Sequence, residues 1–357
     1  LKDVQQASQA LQIWRVLAAA NLGFTVKAAE EWRATLTATA LEGGLAAARE
    51  LGRRDGGLEQ ALRGKIEAGA KAAERSPQEW AKLVQERGDA LKGERLYHSA
   101  KLSCVQCHVI GGAGGKLGPD MSTLGASAPL DYVIESVLSP NAKVKEGYHG
   151  VNYSLNDGTS VTGIPFEENG TAIKVRIPGG LEFEVAKAKI KTSEVIGSLM
   201  PAGLVDGLSE EDKINVFAFL GAVGRPGAFD ASNGGIARAW RITSNAEDAH
   251  AGRSLTVAPT AYTLTDGRLL PEHLEMPLAV ESGAKVYAVA KFRLGAAATV
   301  ALQVEGADAF WVDGAPAKNG AQAFSSGGEH TLVVALQKGA LPRVLRASAT
   351  NARFIAQ

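Results

Sequence analysis

The spacing of apolar residues predicts that the chain begins with a series of short helices. Four blocks carry apolar side chains at helical intervals: Val4–Ala20, Ala28–Ala40, Gly44–Leu51 and Leu58–Ala73. Glycines interrupt this pattern, and we expect one of the helix breaks at Gly43-Gly44. Residues 1–86 are therefore predicted to form an α-helical segment, whose core contains its three tryptophans, Trp14, Trp32 and Trp80.

The pattern changes twice within residues 87–224. A helix that includes Gly93–Tyr97 leads toward a pair of cysteines, and a second helix opens at Ser209, a good N-cap residue that acidic residues follow. Between them, residues from about 147 to 190 alternate apolar and polar positions, as half-buried strands do. The sequence Asn156–Thr159 is typical of a hairpin turn. This segment is predicted to be helical with a β insertion.

Strand patterns dominate residues 228–357, which follow an Arg225-Pro226-Gly227 linker. Six strands are predicted there: Ala237–Ile242, Lys285–Phe292, Ala298–Val304, Phe310–Val312, His330–Leu336 and Val344–Ala347. Short strands separated by turn signals indicate an antiparallel β-sandwich or jelly roll. The predicted fold class is thus multidomain α+β, with domains at residues 1–86, 87–224 and 228–357.

Composition narrows the classes of partner. The chain has 38 Lys and Arg residues against 38 Asp and Glu residues, so it has no net charge to attract nucleic acid or an anionic membrane. No stretch is long and apolar enough to predict a membrane span. The sequence opens at Leu1 directly into polar, helix-like sequence. We therefore expect a mature or partial form that lacks its export signal and a preceding domain.

The stretch Cys104-Val105-Gln106-Cys107-His108 is the strongest chemical signal in the chain. C-x-x-C-H is the attachment signature of a c-type haem, in which two thiols bind the porphyrin and the histidine ligates the iron from the proximal side. The chain has only these two cysteines, so no second C-x-x-C can complete a four-thiolate zinc site. A redox-active dithiol and a zinc site remain alternatives to haem.

A six-coordinate haem needs a second axial ligand, most often Met or His. Met200 lies in the Pro- and Gly-containing loop Ser198–Leu204 just before a helix, and we predict that it is the distal iron ligand. Met121 follows the motif too closely to reach the far face, so we expect it to pack against the haem. His98 and His149 are alternative distal ligands, or proton donors if the protein is a haem enzyme.

Five stretches together resemble a mono-haem class I cytochrome c: Gly93–Tyr97, Cys104–His108, Gly118–Asp120, Ser198–Leu204 and Leu208–Glu211. More narrowly, they resemble the haem-binding domain of large multidomain proteins of Planctomycetes and Verrucomicrobia, which often follows HEAT-like helices. The resemblance implies a HEAT-like segment at 1–86 and an all-α class I cytochrome c domain at 87–224, interrupted by the β insertion. It also implies that the Pro119 carbonyl orients His108.

The expected function is that of an exported, periplasmic c-type cytochrome module. It would hold one covalent haem c through Cys104 and Cys107, with His108 and Met200 as iron ligands. Single electrons would come from a dehydrogenase domain or partner and pass to another cytochrome or an oxidase. We expect an electron carrier, which can form part of a larger oxidoreductase, rather than an enzyme in its own right.

Two other functions compete with this expectation. The first is a peroxidase-like haem enzyme with a displaceable distal ligand. The second is a carbohydrate-binding or scaffolding protein, because Phe310–Gly314 and Gly327–Val334 are similar to jelly-roll modules attached to glycoside hydrolases. In that case residues 228–357 would bind the carbohydrate.

Overall fold

Helices and strands alternate along the chain as the periodicity of its apolar residues changes. The computed structural model describes residues 7–20, 22–32, 36–51, 58–63, 75–99, 102–178, 180–251, 258–279 and 285–355. Its helices are α1 (Ala7–Ala20), α2 (Leu22–Trp32), α3 (Ala38–Leu51), α4 (Leu58–Arg63), α5 (Pro77–Arg87), α6 (Ala90–His98), α7 (Leu124–Ser127), α8 (Leu130–Leu138), α9 (Glu210–Ala222), α10 (Ala246–His250) and α11 (Pro271–Ala279). The first seven strands are β1 (Val109–Ile110), β2 (Ala113–Gly114), β3 (His149–Leu155), β4 (Ser160–Glu168), β5 (Ala172–Arg176), β6 (Glu182–Ala186) and β7 (Ile190–Ser198). The later strands are β8 (Ala239–Thr243), β9 (Thr260–Tyr262), β10 (Lys285–Leu294), β11 (Ala298–Glu305), β12 (Phe310–Val312), β13 (Ala315–Ala317), β14 (Gly320–Phe324), β15 (Gly328–Gln337), β16 (Arg346–Ala349) and β17 (Arg353–Ile355).

The chain divides into two compact units. The first consists of Leu1–His108, Gly115–Asp120 and Ser127–Gly221, and the second of Val109–Gly114, Met121–Ala126 and Ala222–Gln357. The first unit therefore contains α1–α6, α8, most of α9 and the strands β3–β7. The second contains β1, β2 and all strands from β8 onward.

The N-terminal helices pack around a buried tryptophan. Trp14 in α1 is fully buried, and its indole Nε1 donates a hydrogen bond to the carbonyl oxygen of Ala40 at 2.8 Å. A Cβ at Gly43 would lie 2.4 Å from the Cβ of Ala10, so the missing side chain lets α3 approach α1 closely. The predicted break at Gly43-Gly44 is therefore wrong, because both glycines lie inside α3.

The other tryptophans of this segment divide between core and surface. Trp80 is buried, as is Trp14, and this confirms the prediction for both of them. Trp32 is 39% exposed, so its predicted core position is wrong. The predicted helical blocks also cover residues 4–6, 33–35 and 64–73, which lie outside the described residues. The HEAT-like character of this segment stays a prediction.

Helices α6 and α9 cross at Gly93. A Cβ at this position would lie 1.9 Å from the carbonyl oxygen of Asn215, so only glycine permits this close approach. The Asn215 side chain accepts a hydrogen bond from the amide of Asp89 at 2.9 Å, just before α6 begins. One turn further along, the rings of Tyr97 and Phe219 meet edge to face with their centroids 5.4 Å apart. This crossing holds the helix that leads to the cysteines.

Strands β3–β7 form one antiparallel sheet in the order β6-β5-β4-β3-β7. At the hairpin between β3 and β4, Gly158 has a φ of +85°, which matches the turn that the sequence predicted there. The sheet has a hydrophobic core of its own, made of Val151, Tyr153, Ile173, Val175, Ile177 and Val185. It extends to Ser198, beyond the predicted end of the insertion near residue 190.

The predicted fold class is wrong. The structure is mixed, about 31% helical and about 32% strand, and its described residues contain no clear all-α cytochrome domain. The physical reason lies in residues 149–198, whose alternating apolar residues build an antiparallel sheet with a separate core. Residues 87–224 are thus helices beside a sheet, rather than a helical domain with a small insertion.

The second unit is built mainly from antiparallel strands. One sheet has the order β13-β12-β15-β10-β8-β9 with β17 beside β10, and another has the order β14-β11-β16. The long central pair β10 and β15 is in register from Lys285 opposite Gln337 to Leu294 opposite Gly328. Residues of both sheets share one core, in which Val300 and Leu302 from β11 are fully buried. Each of the six strands predicted in this region overlaps an observed strand. The overlap is shortest at Val344–Ala347, since β16 begins at Arg346.

None of the helices among the described residues combines the length and the apolar character that crossing a membrane would require.

We expect Gly93→Ala to destabilise the protein. The added methyl group would overlap the backbone of α9 at Asn215, and overpacking of this kind typically costs about 1–3 kcal/mol. Gly221→Ala in α9 is a matched control, because its Cβ would meet only the flexible tip of Leu130 at 2.9 Å. Urea unfolding should show a lowered midpoint for Gly93→Ala alone. Equal midpoints for the two variants would contradict the prediction, because they would show that α6 and α9 can move apart at no cost in stability.

The stability of the first unit should also depend on pH, through the carboxylate of Glu210. Its carboxylate accepts hydrogen bonds from Arg75 and Arg87, which hold its pKa below the usual value. The unfolded state therefore binds more protons, so the stabilisation is complete above the ordinary Glu pKa of about 4.3 and is lost as the pH falls below it. We expect Glu210→Gln to lower the unfolding temperature at pH 7 but not near pH 3. The control is Glu211→Gln, because among the described residues Glu211 pairs with Lys92 alone, at 3.4 Å, and should show a smaller difference.

Candidate functional site

The two cysteines and His108 lie on one tight turn. Ser103 adopts a left-handed conformation with a φ of 53°, which turns the chain into a short 3-10 helix at Cys104–Gln106. The amides of Cys107 and His108 both donate to the carbonyl oxygen of Cys104, at 3.1 and 3.0 Å. The two cysteines are not joined by a disulfide, and both residues are partly exposed. The C-x-x-C-H residues are thus gathered by local backbone hydrogen bonds.

Residues 115–119 lie directly against this turn. The amide of Gly115 donates to Val105 O at 2.9 Å, and the amide of Gly118 donates to Cys107 O at 2.7 Å. A Cβ at Gly115 would lie 1.7 Å from the carbonyl oxygen of Gln106, so glycine is needed for the approach. The two hydrogen bonds fix the segment along the motif.

The imidazole of His108 packs against Gly118 and Pro119. A Cβ at Gly118 would lie 2.4 Å from Cε1 and 2.7 Å from Nδ1 of the ring, so a larger residue would displace the imidazole. His108 Nδ1 lies 2.9 Å from the carbonyl oxygen of Pro119. Because a carbonyl can only accept, Nδ1 carries the proton and Nε2 carries the lone pair. The ring is therefore prepared to bind a metal through Nε2.

The electrostatics of the site keep this imidazole neutral. Burial lowers the pKa of His108, and the hydrogen bond to Pro119 raises it in part. A neutral imidazole is the form that ligates metals. The Pro119 carbonyl lies in contact with the imidazole of His108, and the roles of both residues toward a haem stay predictions.

Tyr97 contacts the cysteine turn from α6. From the sequence it was not identified as a residue of the site. Its side chain is fully buried, and its hydroxyl donates to the carbonyl oxygen of His108 over a long 3.5 Å. Burial, followed by the charges of Cys104, Cys107 and Asp120, raises the pKa of Tyr97 well above its usual value, so the phenol stays neutral. Its position on the buried face of α6, four residues after Gly93, was the available sequence signal.

The thiol of Cys107 differs from that of a reactive cysteine in its pKa. Burial raises its pKa to about 11. Redox-active dithiols instead depend on a lowered thiol pKa, which exposes a thiolate at neutral pH. The environment of Cys107 therefore disfavours the redox-dithiol alternative. Among the described residues, no three or more His, Cys, Asp or Glu side chains are grouped so that they could hold a metal ion.

The remaining candidate residues make other contacts. Met200 is half-buried in the loop between β7 and α9, and its amide donates to Ser198 Oγ at 3.1 Å. Met121 is buried in the second unit, where its amide donates to Val109 O at 2.8 Å. His98 meets the Tyr97 ring edge to face at 5.1 Å. The contacts described above join Cys104, Cys107, His108 and Pro119 into one site, whereas the iron-binding role of Met200 stays a prediction.

His149 begins β3 at an exposed position. In the pairing of β3 with β7 it stands opposite Ser198, and Ser198 precedes Met200 by two residues. The sheet therefore brings the backbone of this alternative distal ligand close to the loop of the preferred one.

No protein-family model matches the chain, and no curated protein sequence is significantly similar to it.

Proposed function

We propose that the protein is an electron carrier with one covalently bound haem c. Cys104 and Cys107 would form the two thioether bonds, His108 would be the proximal iron ligand and Met200 the distal one. The observation that carries the proposal is the state of His108, whose Nδ1 is fixed by the Pro119 carbonyl at 2.9 Å while Nε2 bears the lone pair. When bound, haem c supplies an iron that exchanges one electron between its ferric and ferrous states.

The shape of the turn supports covalent attachment. Cys104 and Cys107 are both partly exposed residues. Cys104 begins the 3-10 helix and Cys107 is its C-cap, so the two lie about one turn apart and a planar group can meet both from one side. The carbonyls of both cysteines and the amide of Cys107 are occupied by backbone hydrogen bonds, within the turn and with Gly118. The site therefore does not need to rearrange its backbone when the cysteines react.

The surroundings favour electron transfer over acid–base chemistry. The His108 imidazole is held neutral and is oriented by Pro119, and the buried Tyr97 phenol stays protonated. Neither group is poised to exchange a proton near pH 7. A site whose groups keep one protonation state reorganises little when an electron arrives, and this suits a carrier.

The proposal extends to location and partners. Attachment of haem c takes place on the outer side of the bacterial inner membrane, so the protein would be exported to the periplasm. Its partners would be redox proteins, with a dehydrogenase domain or protein as donor and a cytochrome or oxidase as acceptor. The balance of 38 basic and 38 acidic residues means that docking would rely on local patches rather than on net charge.

Covalent haem attachment should require both cysteines. We expect the protein, made in bacterial periplasm with a c-type cytochrome maturation system, to keep haem after denaturation. Intact mass and haem staining of a denaturing gel measure this directly. The double variant Cys104→Ser/Cys107→Ser should carry no covalent haem, because no thiol remains. Gln106→Ala is the control, since this exposed residue occupies a position between the cysteines at which the signature accepts any residue. A wild-type protein without covalent haem would refute the proposed function.

Met200 should determine the distal coordination. We expect the ferric protein to be low-spin with a weak sulfur-to-iron band at the red end of its spectrum, which Met200→Ala abolishes. The same variant should have a lower midpoint potential, because the thioether favours ferrous iron. Met121→Ala is the matched control and should keep the band. Loss of the band in Met121→Ala instead would reassign the ligand, and a high-spin spectrum unaffected by either change would favour the haem-enzyme alternative.

A further inference from the structure

The five-stranded sheet reaches the segment that orients His108. Arg176, the last residue of β5, donates a hydrogen bond from Nη1 to the carbonyl oxygen of Lys116 at 2.9 Å. Lys116 stands two residues before Gly118 and three before Pro119, the two residues that contact the imidazole. All of these residues belong to the first compact unit. The sheet therefore contacts the support of the histidine through one side chain.

The guanidinium of Arg176 is fixed on its other sides. Its Nε and Nη2 lie 3.4 and 3.1 Å from Oε1 of Glu182, and its central carbon lies 4.4 Å from the ring centroid of Phe166. The side chain is only 19% exposed. The residue is also paired on both sides, with Ile164 in β4 and Glu182 in β6. A planar guanidinium held by several contacts loses little freedom when it makes one more hydrogen bond.

The Lys116 carbonyl lies between the two anchors of the loop. The amides of Gly115 and Gly118 bind the carbonyls of Val105 and Cys107, which belong to the motif turn itself. Arg176 adds an anchor from a different structural element. The segment is then held from the turn on one side and from the sheet on the other, so its backbone has little room to move away from the imidazole.

We propose that Arg176 is a positioning residue for His108. Arg176 acts on the imidazole indirectly, through the Lys116–Pro119 segment. The proposal rests on the proposed haem function for its redox consequence but not for the contact itself. Without Arg176 the segment can shift, and the hydrogen bond from His108 Nδ1 to the Pro119 carbonyl weakens. A weaker bond makes the imidazole less basic, and a less basic ligand stabilises ferric iron less. The midpoint potential of the haem-loaded protein should therefore rise.

The test compares Arg176→Gln with a change of equal charge on the same strand. Lys174 lies two residues earlier in β5 and pairs with both carboxylate oxygens of Glu167 on the neighbouring strand β4 at 2.9 Å. Lys174→Gln therefore removes one positive charge and one ion pair without touching the loop. We expect the midpoint potential to rise in Arg176→Gln and to stay near the wild-type value in Lys174→Gln.

Amide hydrogen exchange of Gly118 gives a second readout, which does not need the haem. The Gly118 amide is protected by its bond to Cys107 O, and we expect roughly fivefold faster exchange in Arg176→Gln, the effect of losing one typical hydrogen bond. Arg176→Lys keeps the positive charge but not the planar guanidinium, which binds Lys116 and Glu182 through different nitrogens. We therefore expect its Gly118 exchange to be faster than in the wild type, as in Arg176→Gln. Arg176→Lys also provides a second variant should Arg176→Gln fail to fold.

The two proposals fail in different ways. A protein without covalent haem refutes the haem function, while Gly118 exchange still decides the role of Arg176. If haem is attached but the Arg176 variants change potential and Gly118 exchange no more than Lys174→Gln does, the positioning role is refuted.

Discussion

The close contact between residues 115–119 and the cysteine turn is the constraint on which the candidate site depends. Two backbone hydrogen bonds, from Gly115 to Val105 and from Gly118 to Cys107, hold the segments together. The contact is possible because a Cβ at Gly115 or Gly118 would overlap the turn or the imidazole. With the segment in place, the Pro119 carbonyl fixes both the orientation and the tautomer of His108.

The surrounding elements support this contact from two directions. The crossing of α6 and α9 at Gly93 places the buried Tyr97 beneath the motif, where its hydroxyl reaches the carbonyl of His108. The antiparallel sheet approaches through Arg176, which reaches the carbonyl of Lys116. A sheet that appears from sequence to be a mere insertion thus contributes to the surroundings of the histidine.

The ionisable groups of the site share one tendency, which is to stay uncharged. Burial lowers the pKa of His108 and raises the pKa of Cys107 and of Tyr97, so the neutral form of each gains. Such a site is poorly suited to thiol exchange, which needs a thiolate. Neutral groups are compatible with the proposed haem, which would carry the redox chemistry itself.

The sequence by itself determined the local features of this protein. It located the C-x-x-C-H motif, the Ser209 cap, which the structure shows accepting from the Asp212 amide at 3.1 Å, and the strands after residue 228, because these depend on neighbouring residues and short periodicities. Only the tertiary structure decided that Gly43-Gly44 continues a helix, since the reason is the approach of α1. It also decided that the strands predicted between about 147 and 190 extend to Ser198 and form one sheet with its own core, which overturned the all-α expectation. The contact of Arg176 with Lys116 spans sixty positions, and no local pattern encodes such a pair, because it depends on how the sheet and the loop meet in space.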